Sequence, residues 1–216
     1  MDALRTACFS ILETCTDCGL CAKHCAFLSR WPPPGALARA LLSGDSTAIP
    51  LDAAYSCSLC SLCSTVCPFG TTPQTLFLAM RRAALAAASS EGNGLPPLLK
   101  PHKALLGFES RGRNRWFRLH ALPPGASTVF FPGCALPGAY PEATLRACHS
   151  LSQAIPELGV VLSCCGKPSH DLGREEEFKA INTRVLDLLA DHGVNRIITA
   201  CPNCHKVFSS HCQDLE

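Results

Sequence analysis

The sequence predicts two domains of different class: a helical domain comes first, and an α/β domain with a parallel, Rossmann-like sheet follows it. In the first 88 of the 216 residues, apolar side chains recur at the spacing of helices. From residue 127 onward, short apolar runs alternate with helical patterns, as in a parallel sheet with crossover helices. Residues 89–126 begin with Ser, Gly and Pro and are predicted to form a linker. The predicted domains therefore cover residues 1–88 and 127–216.

Helical patterns account for the elements of the first domain. A stripe of apolar residues three to four positions apart predicts the first helix; its members are Leu4, Cys8, Ile11 and Cys15. Further helical segments are predicted at Ala36–Leu42, Asp52–Ser56 and Thr75–Ala88. Gly44 is expected to end the first of these, because glycine readily adopts the left-handed conformation found at helix ends.

The α/β domain is predicted to have the order strand, helix, strand, helix, strand. The three strands are expected at Thr128–Phe131, Gly159–Ser163 and Arg196–Ala200. Pro141 suits the start of the first helix, whose apolar stripe is Leu145, Cys148, Leu151 and Ile155. Asp171 is predicted to cap the second helix, whose inward face is expected to be Phe178, Ile181, Val185 and Leu188.

Two copies of one cysteine string lie in the helical domain. Each reads C-x-x-C-x-x-C-x-x-x-C, and Pro68 follows the second copy. This spacing is the ligand pattern of proteins with two [4Fe-4S] clusters, in which the fourth cysteine of each string binds the other cluster. It assigns cluster 1 to Cys15, Cys18, Cys21 and Cys67. It assigns cluster 2 to Cys57, Cys60, Cys63 and Cys25.

Two other uses of cysteine fit the sequence less well. A disulfide framework is typical of short secreted chains, and this sequence opens without the pattern of a secretory signal. Structural zinc sites favour paired C-x-x-C motifs, whereas here four cysteines recur twice in one longer rhythm. Iron–sulfur clusters in a reducing, cytoplasmic setting are therefore the expectation.

Five further cysteines follow the predicted strands. They are Cys134, Cys164, Cys165, Cys201 and Cys204. The carboxyl ends of parallel strands meet at one edge of a sheet, where open α/β sheets bind their ligands. The sequence thus predicts that these five side chains converge. The C-x-x-C-H motif that ends at His205 also matches haem attachment, but that interpretation requires an export signal. The remaining cysteines, Cys8, Cys148 and Cys212, are expected to pack as small apolar side chains.

Charge and hydropathy exclude several functions. The net charge is +2, so the sequence gives no electrostatic indication of nucleic-acid binding. No apolar stretch approaches the roughly 20 residues of a membrane span. Any association with a membrane is therefore expected to be peripheral and to occur through a partner. The basic and aromatic run 111–118 in the linker is interpreted as a solvated connector, with docking to an acidic partner or lipid headgroups as the alternative. No phosphate-binding fingerprint of flavin or nicotinamide proteins is present, so such a cofactor is expected on a partner.

Both cysteine systems together resemble a known family. The 31 residues between Cys25 and Cys57, with their helical pattern, are similar to the α-helical type of ferredoxin. The sequences Phe-Phe-Pro-Gly-Cys134, Cys164-Cys165-Gly166 and Cys201-Pro-Asn-Cys204 resemble the cysteine-rich CCG domain. The two occur in this order in heterodisulfide reductase-like proteins and in the iron–sulfur subunits of glycolate oxidase and anaerobic glycerol-3-phosphate dehydrogenase.

The resemblance implies a function and its cofactors. The five later cysteines would hold a third, non-cubane [4Fe-4S] cluster or zinc, and would form a candidate redox centre. The chain would be an iron–sulfur electron-transfer subunit of a cytoplasmic oxidoreductase complex, with a flavoprotein or an electron carrier as partner. The alternative is a non-catalytic electron wire or assembly module whose CCG domain holds structural zinc or docks a partner. Members of the family commonly carry two CCG repeats, and this chain has one.

Overall fold

A computed structural model of the chain describes residues 3–44, 50–90 and 120–211. The chain divides into two compact units, of which the first comprises Met1–Lys100 and Asp171–Arg174 and the second comprises Pro101–His170 and Glu175–Glu216. The basic and aromatic run 111–118 and Cys212 lie outside the described residues. The predicted domain and linker boundaries remain predictions.

The first unit is built from helices. Its α-helices are α1 (Ala3–Thr14), α2 (Leu20–Lys23), α3 (Pro34–Ser43), α4 (Leu62–Thr65) and α5 (Pro73–Ser90). Two 3₁₀ helices, Leu28–Arg30 and Leu51–Ser56, connect them. None of the helices described is long and apolar enough to cross a membrane.

One core holds the first unit together. Helix α1 packs against both α3 and α5, and the side chains of Ile11, Leu37 and Phe77 are fully buried among them. The rings of Phe27 and Phe77 meet edge to face, with 5.0 Å between centroids. The predicted stop of α3 is confirmed, since Gly44 has a φ of 79° and its amide donates to the carbonyls of the last turn. Several cluster cysteines therefore sit against a fixed apolar surface.

The second unit alternates strands and helices. Its strands are β1 (His120–Ala121), β2 (Thr128–Phe131), β3 (Gly159–Val161) and β4 (Arg196–Thr199). Its helices are α6 (Ala135–Ala139), α7 (Pro141–Ala154), α8 (Lys167–Asp171), α9 (Glu175–Asp191) and α10 (Pro202–His211). The last residue of α8, Asp171, belongs to the first unit. The three predicted strands and the helix start at Pro141 are present, while the short strand β1 was not predicted.

The sheet has the strand order β1-β3-β2-β4. Strand β2 pairs in parallel with β3 on one side and with β4 on the other, and β1 adds an antiparallel edge. All four residues of β2 are buried, as expected for a central parallel strand. The chain is thus mostly helical with a small three-stranded parallel sheet, which agrees with the predicted α + α/β class at that level. The closer likeness to a Rossmann fold remains a prediction.

Three details of the predicted helices are wrong. Asp171 does not cap α9; it is the last residue of α8, and Gly173, at a φ of 81°, separates the two helices. Phe178 and Val185 of the predicted face of α9 are buried and Leu188 packs against the core, but the other two buried residues are Asn182 and Leu189, which were not predicted. Leu145 is 60% exposed although its spacing matches the apolar stripe of α7. Helical spacing finds a face to within about one residue, but neighbouring elements decide which side is covered.

Candidate metal centres

The first predicted cluster site is a pocket in the helical unit. Cys15 directly follows α1, Cys18 lies in the next loop, and Cys21 lies in α2. Cys67 comes from the second string and follows α4. All four line one pocket, and Cys63 also lines it. The structure thus brings the three leading cysteines of one string together with the last cysteine of the other.

The two cysteine strings share an unusual backbone conformation. In each string, the residues that flank the second cysteine have positive φ: Asp17 (55°) and Gly19 (72°), then Leu59 (50°) and Ser61 (68°). A four-residue helix, α2 or α4, follows each turn. For residues other than glycine this conformation costs about 1–2 kcal/mol. Gly19 gives a sequence signal for the turn, but Leu59 gives none, and the repeat of the turn was missed from sequence.

The Asp17 side chain organises the loop of the first string. Its carboxylate accepts a hydrogen bond from the Ala36 amide at 3.1 Å, pairs with the Arg39 guanidinium, and lies 3.6 Å from the Cys15 sulfur. A Cβ on Gly35 would come within 2.5 Å of Asp17 Oδ1, so a side chain at position 35 would displace the carboxylate. The start of α3 thereby fixes the turn between Cys15 and Cys18.

Cys67 is placed to be a thiolate. Burial alone would raise the pKa of Cys67, but hydrogen bonds from the Thr71 hydroxyl and from the backbone amides of residues 69–71 hold it below its usual value. A thiolate is the form that binds iron. Burial raises the pKa of both Cys15 and Cys21.

The second predicted site is formed by Cys57, Cys60, Cys63 and Cys25. Burial raises the pKa of Cys57, and the nearby charges of Cys63 and Cys25 raise it further. Burial also raises the pKa of Cys63, with added effects from Cys60 and Cys25. The four side chains are therefore close enough for their charges to interact. The Leu59 amide donates a hydrogen bond to the Cys57 sulfur at 3.4 Å, as expected around a sulfur ligand.

The five later cysteines form one chain of interacting sulfur atoms in the second unit. Side-chain hydrogen bonds join successive pairs in the order Cys134, Cys164, Cys165, Cys204 and Cys201. They follow the carboxyl ends of β2, β3 and β4, as the parallel sheet requires. The Gly166 amide donates to the Cys164 sulfur at 3.4 Å. Residues spread over the whole domain thus meet at one edge of the sheet.

Hydrogen bonding among these sulfur atoms shifts their pKa values in opposite directions. Hydrogen bonding with Cys164 lowers the pKa of Cys134 to about 7. Hydrogen bonding with Cys164 and Cys204 holds the pKa of Cys165 below its usual value, while the pKa values of Cys164 and Cys204 are raised. Cys134 and Cys165 are therefore the thiols that lose their protons most readily.

Gly133 allows the close approach of the sheet edge to α10. Its φ is 79°, and a Cβ there would lie 3.1 Å from the Cys204 sulfur and 3.2 Å from the Cys201 Cβ. Glycine suits this position because its φ is positive and because a Cβ would force the neighbouring cysteine atoms to move by a few tenths of an ångström. In the sequence, Gly133 is recognisable only as part of the lead-in to Cys134.

The donor atoms suit iron–sulfur chemistry at all three places. Each site offers sulfur donors, which select iron–sulfur clusters or zinc. Among the described residues, no group of three or more His, Cys, Asp or Glu side chains is arranged to hold a single metal ion. Of the cysteines outside the sites, Cys8 is 1% exposed and packs in the core, and Cys148 is half-buried in α7.

Comparisons with known proteins agree with these sites. Residues 11–71 match the family model of the 4Fe-4S dicluster domain, and residues 128–209 match that of the cysteine-rich domain called CCG. The matched ranges contain all thirteen predicted site cysteines.

Two relatives are the same component of one enzyme, dihydromethanophenazine:CoB–CoM heterodisulfide reductase, in two organisms. The protein of Methanosarcina mazei is 24% identical over 237 residues, and that of Methanosarcina acetivorans is 23% identical over 238 residues. Both alignments cover 90% of this chain but 56% of the relative, so the chain spans about half the length of the curated relatives it matches. No solved structure matches the chain.

These findings define the class of the protein. The chain is an iron–sulfur protein in which a 4Fe-4S dicluster domain precedes a cysteine-rich CCG domain. Within that class it is similar to one of the subunits of heterodisulfide reductase, which confirms the predicted resemblance. The dicluster domain implies two [4Fe-4S] clusters, and the CCG domain is consistent with a further iron–sulfur or metal site.

Proposed function

We propose that the chain is an electron-transfer subunit of a cytoplasmic oxidoreductase complex, with a redox-active centre in its CCG domain. The observation that carries this proposal is the hydrogen-bonded chain of five sulfur atoms in a protein that also has a dicluster domain. When bound, iron–sulfur clusters supply one-electron carriers whose potential depends on their surroundings. The cytoplasm is proposed because its thiols stay reduced.

The proposed ligands of the two cubes follow the crossed pattern. Cys15, Cys18, Cys21 and Cys67 would hold cluster 1, and the shared pocket supports this set. Cys57, Cys60, Cys63 and Cys25 would hold cluster 2, and their mutual electrostatic interactions support that set. Cys63 also lines the first pocket, so it lies near both sites.

The CCG centre is proposed to hold an iron–sulfur cluster rather than structural zinc. Its five cysteines exceed the four ligands of a zinc site. The lowered pKa values of Cys134 and Cys165 favour the thiolate form that binds iron. A cysteine left without metal would be available as a thiol for exchange with a substrate.

The proposed substrate class is a disulfide, whose cleavage takes two electrons and two protons and yields two thiols. The name of the relatives supports it, since both belong to a heterodisulfide reductase. Electrons from a flavoprotein dehydrogenase acting on a hydroxy acid or glycerol phosphate are the second candidate. Either reaction needs other subunits, so we propose a flavoprotein or an electron carrier as partner. A non-catalytic module with structural zinc is not favoured.

The test uses a thiol as a probe of the CCG centre. Coenzyme M, one half of the disulfide in the relatives' name, is added to the anaerobically reconstituted, oxidised chain. The expected result is a change in the electron paramagnetic resonance spectrum, because the thiol binds at the five-cysteine centre.

Two variants give the matched comparison. Cys165→Ala removes a central sulfur of the chain, whereas Cys148→Ala removes a half-buried thiol outside it. We expect the spectral change to disappear in the first and to persist in the second. The same change in both variants would contradict the proposed centre.

A further inference from the structure

Helix α5 carries a buried cation beside the second cysteine string. Arg81 is 5% exposed, although arginine is almost always at the surface. Burying a guanidinium is unfavourable unless hydrogen bonds and opposite charge compensate for it. Its surroundings must therefore supply both.

The hydrogen bonds go to the backbone that leads into Cys57. Arg81 Nε and Nη2 donate to the Ala54 carbonyl at 3.1 and 2.9 Å, and Nη2 also donates to the Cys57 carbonyl. The Tyr55 ring lies 5.1 Å from the guanidinium carbon. Nη1 donates to the Asp171 carbonyl in the same unit. The planar fork of arginine thereby fixes the 3₁₀ segment Leu51–Ser56, which directly precedes the first cysteine of the second string.

The charge of Arg81 also acts on the Cys57 sulfur. Arg81 Nη2 donates to the Cys57 carbonyl, so the positive charge lies beside the first cysteine of the second string. The Asp171 and Tyr55 side chains also interact with Arg81. Near the first string the arrangement differs, because Arg39 is exposed and pairs directly with the Asp17 carboxylate.

We propose that Arg81 is a positioning residue for Cys57 and the buried counter-charge of cluster 2, where it raises the reduction potential of that cluster and not of cluster 1. The inference rests on the proposed function. A cation held at low dielectric stabilises an added electron, and net charge near the sulfur atoms is one of the factors that set the potential of a [4Fe-4S] cluster. Arg39 would contribute less, because its charge is neutralised by Asp17 and screened by water.

The experiment measures each cluster alone in the full chain. Cys18→Ala disables cluster 1, and Cys60→Ala disables cluster 2; both cysteines are exposed leading members of their strings. Arg81→Gln is added to each background, and midpoint potentials are measured by redox titration followed by electron paramagnetic resonance. We expect a lower potential in the Cys18→Ala background and no shift in the Cys60→Ala background.

Two further variants separate charge from fold. Arg81→Lys keeps the charge, so its potential stays close to that of the unsubstituted chain. Arg5→Gln removes an exposed cation on α1, ten residues or ~15 Å along the helix axis from Cys15, and shifts neither potential. Equal shifts in both backgrounds, or equal shifts for Arg81→Lys and Arg81→Gln, would overturn the role of Arg81.

A chelator assay covers the case in which Arg81→Gln does not fold. Arg81→Lys loses the fork of hydrogen bonds, so we expect a chelator to remove iron from cluster 2 faster than when Arg81 is kept. The faster loss should therefore be seen in the Cys18→Ala background and not in the Cys60→Ala background. Equal loss in both backgrounds would also overturn the inference. If the unsubstituted chain binds no iron at all, the proposed function fails, whereas loaded clusters that ignore Arg81 refute this inference alone.

Discussion

Replacing Cys67 by alanine is expected to remove the cluster held by Cys15, Cys18 and Cys21, not the cluster of its own string. The reason is spatial: Cys67 lines the same pocket as these three residues. Losing one thiolate of four leaves an iron atom without its protein ligand, so the reconstituted chain should hold about four fewer irons. Iron analysis and the spectrum of the reduced clusters would measure this loss.

Double variants make the result unambiguous. With crossed ligands, Cys67→Ala combined with Cys18→Ala leaves cluster 2 intact, while Cys67→Ala combined with Cys60→Ala abolishes both clusters. Uncrossed ligands predict the reverse pattern. Cys8→Ala is the control, because Cys8 is buried in α1 outside both sites and its loss should leave the iron content unchanged.

Gly133→Ala is expected to disrupt the CCG centre. The new Cβ would lie 3.1 Å from the Cys204 sulfur and 3.2 Å from the Cys201 Cβ, so these two cysteines must move by a few tenths of an ångström. The positive φ adds strain of about 1–2 kcal/mol. We expect the metal content of this centre to be lost and the melting temperature to fall.

Gly44→Ala provides a matched control for that substitution. Gly44 also has a φ of 79°, but a Cβ there would meet nothing within 4 Å. Its cost should therefore be the strain alone, with full metal content. If both variants keep all their metal and melt at the same temperature, the close packing of Gly133 against the cysteines does not matter for the centre.

The spacing of the cysteines along the chain was enough to predict that those after the strands lie close together, because regular strands and helices fix the relative positions of the residues at their ends. The strands ending before Cys134, Cys164 and Cys201 run parallel, so their carboxyl ends share one edge. The helix stop at Gly44 follows from local backbone preference in the same way.

Tertiary contacts decided the features that the sequence did not reveal. Leu59 adopts a left-handed conformation that the local preference of leucine does not favour. The same turn occurs in the first string. Arg81 lies in a helical segment where nothing in the sequence shows that its guanidinium is buried against the carbonyls of Ala54 and Cys57. The burial of Asn182 and Leu189 on α9 likewise depends on the elements that pack against this helix.

Metal analysis of the whole chain tests the central claim most directly. The chain is purified and reconstituted anaerobically, and iron, sulfide and zinc are counted per protein together with spectra of the oxidised and reduced states. Two cubes need about eight irons, and a four-iron cluster at the CCG centre brings the total to about twelve. We predict a value near twelve with no zinc. A value near eight with one zinc would contradict a redox-active CCG centre and place the active site on a partner.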